Sequence, residues 1–112
     1  MKIIAGILMT LVVFTQYSCA DSKGNTTKTF KVWGNCDMCK ETIEGSLKVD
    51  GISSADWDTE TKEMEVSYDS TKINFDEIQQ KIAAVGYDTE KYKGDDKAYD
   101  DLHKCCKYER KK

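Results

Sequence analysis

Thr29-Phe30-Lys31-Val32-Trp33-Gly34-Asn35-Cys36-Asp37-Met38-Cys39 changes its period halfway along. Up to Trp33, polar and apolar residues alternate. That is the two-residue repeat of a half-buried strand, with Phe30 and Val32 on the buried face. Gly34-Asn35 breaks the repeat. Beyond the break, Cys39, Ile43 and Leu47 recur at four-residue steps. Such spacing puts them on one face of a helix that runs from the cysteines to about Val49. Gly45 inside this helix costs up to ~1 kcal/mol against alanine, and Asp50-Gly51 ends it.

Working outward, Ile52 to Asp58 reads as a second strand in which Ala55 and Trp57 alternate. Asp58-Thr59-Glu60-Thr61-Lys62 is a polar turn. Met64, Val66 and Tyr68 alternate in a third strand, so the two strands form a hairpin. The next helix has a clear start. Asn74 is its cap and Glu77, three residues on, completes a capping box. Ile73 and Ile78 are placed for a hydrophobic staple across that cap. Phe75, Ile78, Ile82 and Val85 form the apolar stripe, and Gly86 occupies the C-cap position. Tyr87 to about Lys93 reads as a short fourth strand. The order βαββαβ predicts an α+β, ferredoxin-like sandwich: a four-stranded antiparallel sheet with two helices on one face.

At the N-terminus, Lys2 precedes an apolar run over residues 3–14, too short for a comfortable membrane span. Tyr17-Ser18-Cys19-Ala20 closes it with small residues, and polar Asp21-Ser22-Lys23 follows at once. This is the pattern of a signal peptide over 1–19, which implies export to the periplasmic side. Ser18-Cys19 also looks like a lipoprotein boundary, with Cys19 acylated as a lipid anchor; cleavage after Ala20 is the alternative. The chain then divides into a linker (20–27), one domain (28–93) and a charged, cysteine-containing tail (94–112).

The whole chain of 112 residues has room for one small domain. Its net charge of -3 and its lack of a basic face argue against nucleic acid as a partner. No Ser-His-Asp set is apparent, and the reading is that of a binding protein rather than an enzyme.

Cys36 and Cys39 lie at the start of a helix, where unpaired N–H groups and a partial positive charge favour thiolate over thiol. Lys40 is expected to add positive charge nearby. Thiolates are the form that binds metal. Two of them suit a soft ion such as Cu(I) or Hg(II). Zn(II) in a structural site takes about four ligands, which would need Asp37, His103, Cys105 or Cys106 as well. The alternative is a thiol–disulfide redox protein using the same dithiol. Against it, the chain has no proline, whereas the thioredoxin dithiol sits beside a cis-proline. A structural disulfide over so short a loop stabilises little. In the tail, His103 with Cys105 and Cys106 offers a second soft-metal site or extra ligands for the first.

Gly34-Asn35-Cys36-Asp37-Met38-Cys39 resembles the metal-binding motif of heavy-metal-associated domains. Val49-Asp50-Gly51-Ile52, Val66-Ser67-Tyr68-Asp69 and Ala84-Val85-Gly86-Tyr87-Asp88 resemble three further landmarks of that family, in the same order. The family includes copper chaperones and periplasmic mercuric-ion-binding proteins. The resemblance implies that Cys36 and Cys39 are the ligands and that Cu(I) or a similar ion passes between cysteine pairs by ligand exchange. The acceptor would be a metal-transporting ATPase, an efflux system or another metal acceptor. Tyr87 matches an aromatic or lysine position near the metal loop. Asn35 departs from the usual methionine, and Asp37 between the cysteines is unusual.

Overall fold

The computed structural model describes residues 25–111. The expected signal segment over 1–19 and the expected anchor at Cys19 lie outside the described residues. The elements run β1 (Asn25–Lys31), α1 (Asp37–Gly45), β2 (Ile52–Trp57), β3 (Glu63–Asp69), α2 (Phe75–Ala84), α3 (Asp96–Asp100) and a 3-10 turn (Lys104–Cys106).

The sheet is antiparallel with order β1-β3-β2. Phe30 pairs with Met64, and Met64 with Trp57, which lines up one buried row across all three strands. Along β3 the alternation is clean: Met64, Val66 and Tyr68 are buried while Glu63 and Glu65 are exposed. The sheet therefore has one wet face and one packed face. Ile43 from α1 and Ile78 and Ile82 from α2 share the core with that packed face. The capping box at Asn74 and Glu77 is formed, at 2.8 and 3.1 Å, and Ile73 and Ile78 both join the core.

Three boundaries differ from the sequence-based expectation. β1 begins at Asn25, inside the expected linker, because Asn25 to Lys28 continue the ladder opposite Asp69 to Val66. The Thr27 and Ser67 hydroxyls bond at 2.9 Å, a cross-strand pair on the wet face. Helix α1 ends at Gly45 rather than near Val49. Its last turn tightens, with the Leu47 N–H donating to the Glu44 carbonyl, yet Leu47 is still buried.

The fourth strand is reduced, among the described residues, to a single antiparallel bridge between Val32 and Thr89. Its backbone donors are committed elsewhere. The Asp88 N–H donates to the Tyr108 hydroxyl and the Thr89 N–H to the Tyr92 carbonyl. On the facing side, the Lys31 N–H donates to the Glu90 carboxylate instead of to backbone. A ladder cannot propagate once its groups have other partners.

Residues 94–111 are packed rather than trailing. The Tyr108 ring stacks on Tyr87 at 5.5 Å and meets Tyr99 edge-on at 5.1 Å. Its hydroxyl donates to the Gly86 carbonyl at 2.8 Å while accepting from Asp88. Arg110 bonds the fully buried Asp88 carboxylate at 2.9 Å. Glycine makes the crossing of the two chains possible. Gly86 has φ +101°, and a Cβ there would sit 2.8 Å from the Tyr99 nitrogen.

Candidate metal centre

The loop that carries Cys36 is laid over the Trp57 indole. Trp57 Nε1 donates to the Val32 carbonyl at 3.0 Å in the core. A Cβ at Gly34 would come 2.9 Å from the ring, so the glycine lets the backbone pass this close. The chain then turns into α1 with Cys36 as the N-cap residue in extended conformation.

Cys36 is half-buried and Cys39 fully buried. Their sulfurs are 4.0 Å apart, and the Asn35 N–H donates to the Cys39 sulfur at 3.4 Å. The backbone N–H groups of Cys39 and then Met38, unpaired at the start of α1, hold the Cys36 thiol down at about 7 from 9.0 against the opposing effect of burial.

Lys40 does not contribute as expected. Its Nζ bonds Asp56 at 2.8 Å, Glu44 at 2.7 Å and the Trp57 carbonyl at 2.7 Å. The bonds to Asp56 and Glu44 raise its pKa, and its charge is spent tying α1 to β2.

The C-terminal extension returns to this loop. Cys36, Cys39 and Cys106 have sulfurs all within 4.8 Å of one another. Burial pushes the Cys106 thiol up to about 12, and the neighbouring Cys39 thiol adds to the effect. Cys105 is exposed, and its sulfur rests 3.3 Å from the Met38 thioether. Its carbonyl accepts from the Asn35 amide at 3.4 Å. Asp37 is exposed in the first turn of α1, and His103 is exposed just before the 3-10 turn; neither belongs to the sulfur group. Tyr87 is buried under the site, and its hydroxyl has no hydrogen-bond partner. Burial first, then the adjacent Cys39 and Cys106 thiols, push its pKa up.

The residues that sequence reasoning did not single out are Asp88, Tyr99, Tyr108 and Arg110. They hold Cys106 against the pair. The available signal was two tyrosines in an otherwise charged segment, since aromatic residues bring large apolar surface that prefers burial.

Known proteins show the same frame. Residues 29–88 match the heavy-metal-associated domain. The copper chaperone CopZ of Staphylococcus epidermidis is 34% identical over 65 residues, covering 56% of this chain and 96% of its own. The copper chaperone CopZ of Staphylococcus saprophyticus is 36% identical over 64 residues, covering 55% of this chain and 94% of its own. Among solved structures, a CopZ metallochaperone is 32% identical with TM-score 0.55, over 57% of this chain and 98% of that one. Oxidised MerP from Ralstonia metallidurans is 29% identical with TM-score 0.56, over 59% and 94%. With the matched segment covering more than half of the sequence and carrying both cysteines of the helix end, the chain belongs to the heavy-metal-associated domain family.

Proposed function

We propose that this protein is an exported soft-metal carrier that takes Cu(I) as its cargo between Cys36 and Cys39 and passes it on by thiolate exchange. The observation that carries the reading is the sulfur pair itself. The two thiols are 4.0 Å apart at a helix N-terminus, with Cys36 held near 7 so that a large fraction is thiolate at neutral pH. Sulfur ligands select soft ions. The half-buried position of Cys36 lets an incoming thiolate reach the ion, as exchange requires.

The copper chaperones among its relatives support copper as the cargo. Hg(II) and Zn(II) are the competing ions, and the likeness to MerP is the reason to include Hg(II). The apolar run over residues 3–14 and the Ser18-Cys19 boundary support export and a lipid anchor at Cys19. A metal-transporting ATPase or efflux system is the natural acceptor.

The test is native mass spectrometry of the reduced protein offered equimolar Cu(I), Hg(II) and Zn(II), beside a Cys36→Ser/Cys39→Ser double variant. One copper bound to the wild type and lost in the variant is the expected result. Failure of the wild type to bind any of the three ions refutes the reading, and Hg(II) or Zn(II) bound in preference corrects the metal.

A further inference from the structure

Three sulfurs meet where the family domain touches the C-terminal extension. Cys36 and Cys39 come from the start of α1 and Cys106 from the 3-10 turn. With metal–sulfur bonds of ~2.3 Å, two sulfurs 4.0 Å apart subtend about 120° at a shared ion. An ion held by two ligands in a straight line needs its sulfurs ~4.6 Å apart at the same bond length. The spacing of the pair is therefore that of a three-coordinate ion. The Cys106 sulfur, within 4.8 Å of both others, reaches the third corner once it closes in on the ion. The group contains no carboxylate and no imidazole.

The Tyr87 hydroxyl is a second and independent observation. It is fully buried, and the Cys39 and Cys106 thiols beside it are its nearest candidate partners but form no hydrogen bond of good geometry. Buried donors are rarely left unpaired. Thiolate sulfurs, which form when an ion displaces the thiol protons, supply the acceptor it lacks.

We propose that Cys106 is a third thiolate ligand, so that the cargo is held in a trigonal all-sulfur site closed by the C-terminal extension. This rests on the reading of Cys36 and Cys39 as ligands. The extension acts as a strap, fastened by Arg110 on Asp88 and by Tyr108 between Asp88 and Gly86. Transfer begins when an acceptor thiolate takes the place of the Cys106 sulfur, and the Cys36 and Cys39 bonds are exchanged in the same way afterwards. One metal–sulfur bond forms as one breaks, the ion keeps its charge, and the freed Cys106 thiolate takes up a proton from water. Such a site retains Cu(I) more firmly than an open pair. The strap lies outside residues 29–88, where the family match falls.

The test uses the full chain in a Cys19→Ser background, so that four thiols remain. Cu(I) is the probe, read by copper X-ray absorption for the number of sulfur ligands and by competition with a chromophoric Cu(I) chelator for affinity. We expect three sulfurs around copper in the parent. Cys106→Ala is expected to leave two and weaken Cu(I) binding at least tenfold, while Cys105→Ser matches the parent. A parent that coordinates copper through only two sulfurs overturns the proposal without any substitution. So does a folded Cys106→Ala variant, verified by circular dichroism, that keeps the parental coordination and affinity. In either case the Cys36–Cys39 reading stands. No copper on the parent, or binding that survives Cys36→Ser/Cys39→Ser, removes that reading and the third ligand with it.

Discussion

Tyr108→Phe removes one oxygen and keeps the ring, which makes it a clean probe of how the extension is fastened. The hydroxyl accepts from the Asp88 N–H and donates to the Gly86 carbonyl, each at 2.8 Å and both buried. The stacking on Tyr87 and the edge contact with Tyr99 are unaffected by the change. What is lost is therefore two hydrogen bonds, leaving two buried backbone groups unpaired. Each unsatisfied group costs ~1–3 kcal/mol, with the carbonyl at the low end because it has a second lone pair. The expected loss is about 2–4 kcal/mol. For a domain of this size each kcal/mol moves Tm by roughly 4–8 °C, so the variant should melt roughly 8–30 °C lower. The assay is denaturant unfolding followed by the fluorescence of Trp33 and the buried Trp57, with the slope unchanged so that the midpoint reports stability. A second readout is the reactivity of Cys106 toward a thiol reagent, which rises if the strap loosens. A stability change below ~0.5 kcal/mol with Cys106 still protected would refute the argument that this hydroxyl fastens the extension.

The pH dependence of alkylation separates the cysteines. Cys36 is held at about 7 from 9.0, so its rate with iodoacetamide climbs as pH rises and reaches half its plateau near 7, while Cys106, pushed up to about 12, remains an unreactive thiol throughout. A Cys36 midpoint near 9, read peptide by peptide in the mass spectrometer, contradicts the account of the helix end. Asn74→Ala removes the side-chain arm of the capping box, the bond from the Glu77 N–H, and should cost ~1 kcal/mol in chemical denaturation; an unchanged midpoint rules the cap out as a stabiliser. Gly86→Ala meets φ +101° and the Tyr99 backbone at 2.8 Å and should destabilise by more than ~1 kcal/mol. Gly45→Ala, with nothing within 4 Å of the new methyl, should stabilise by up to ~1 kcal/mol. If the two glycine variants behave alike, the close approach at Gly86 is not a constraint.

The sequence alone determined what is local. Alternation in Phe30-Lys31-Val32 and in Met64 to Tyr68, the capping box at Asn74 and Glu77, and the stop at Gly86 are short-range patterns. Backbone period and cap chemistry act within a few residues, so they can be read along the chain. The same is true of the thiol pair at the start of a helix, because the spacing of Cys36 and Cys39 and the helix end that lowers the Cys36 pKa arise from one segment. Only the tertiary structure decided what depends on pairing across long separations. Tyr87 to Lys93 has the composition of a strand, but Tyr108 and Glu90 take the partners its ladder needed. Lys40 stands beside the cysteines in sequence, but Asp56 and the Trp57 carbonyl draw it toward β2. Cys106 is separated from Cys39 by most of the domain. It is brought there by the buried Asp88–Arg110 ion pair and the tyrosine stack, contacts between groups that carry no periodic signal.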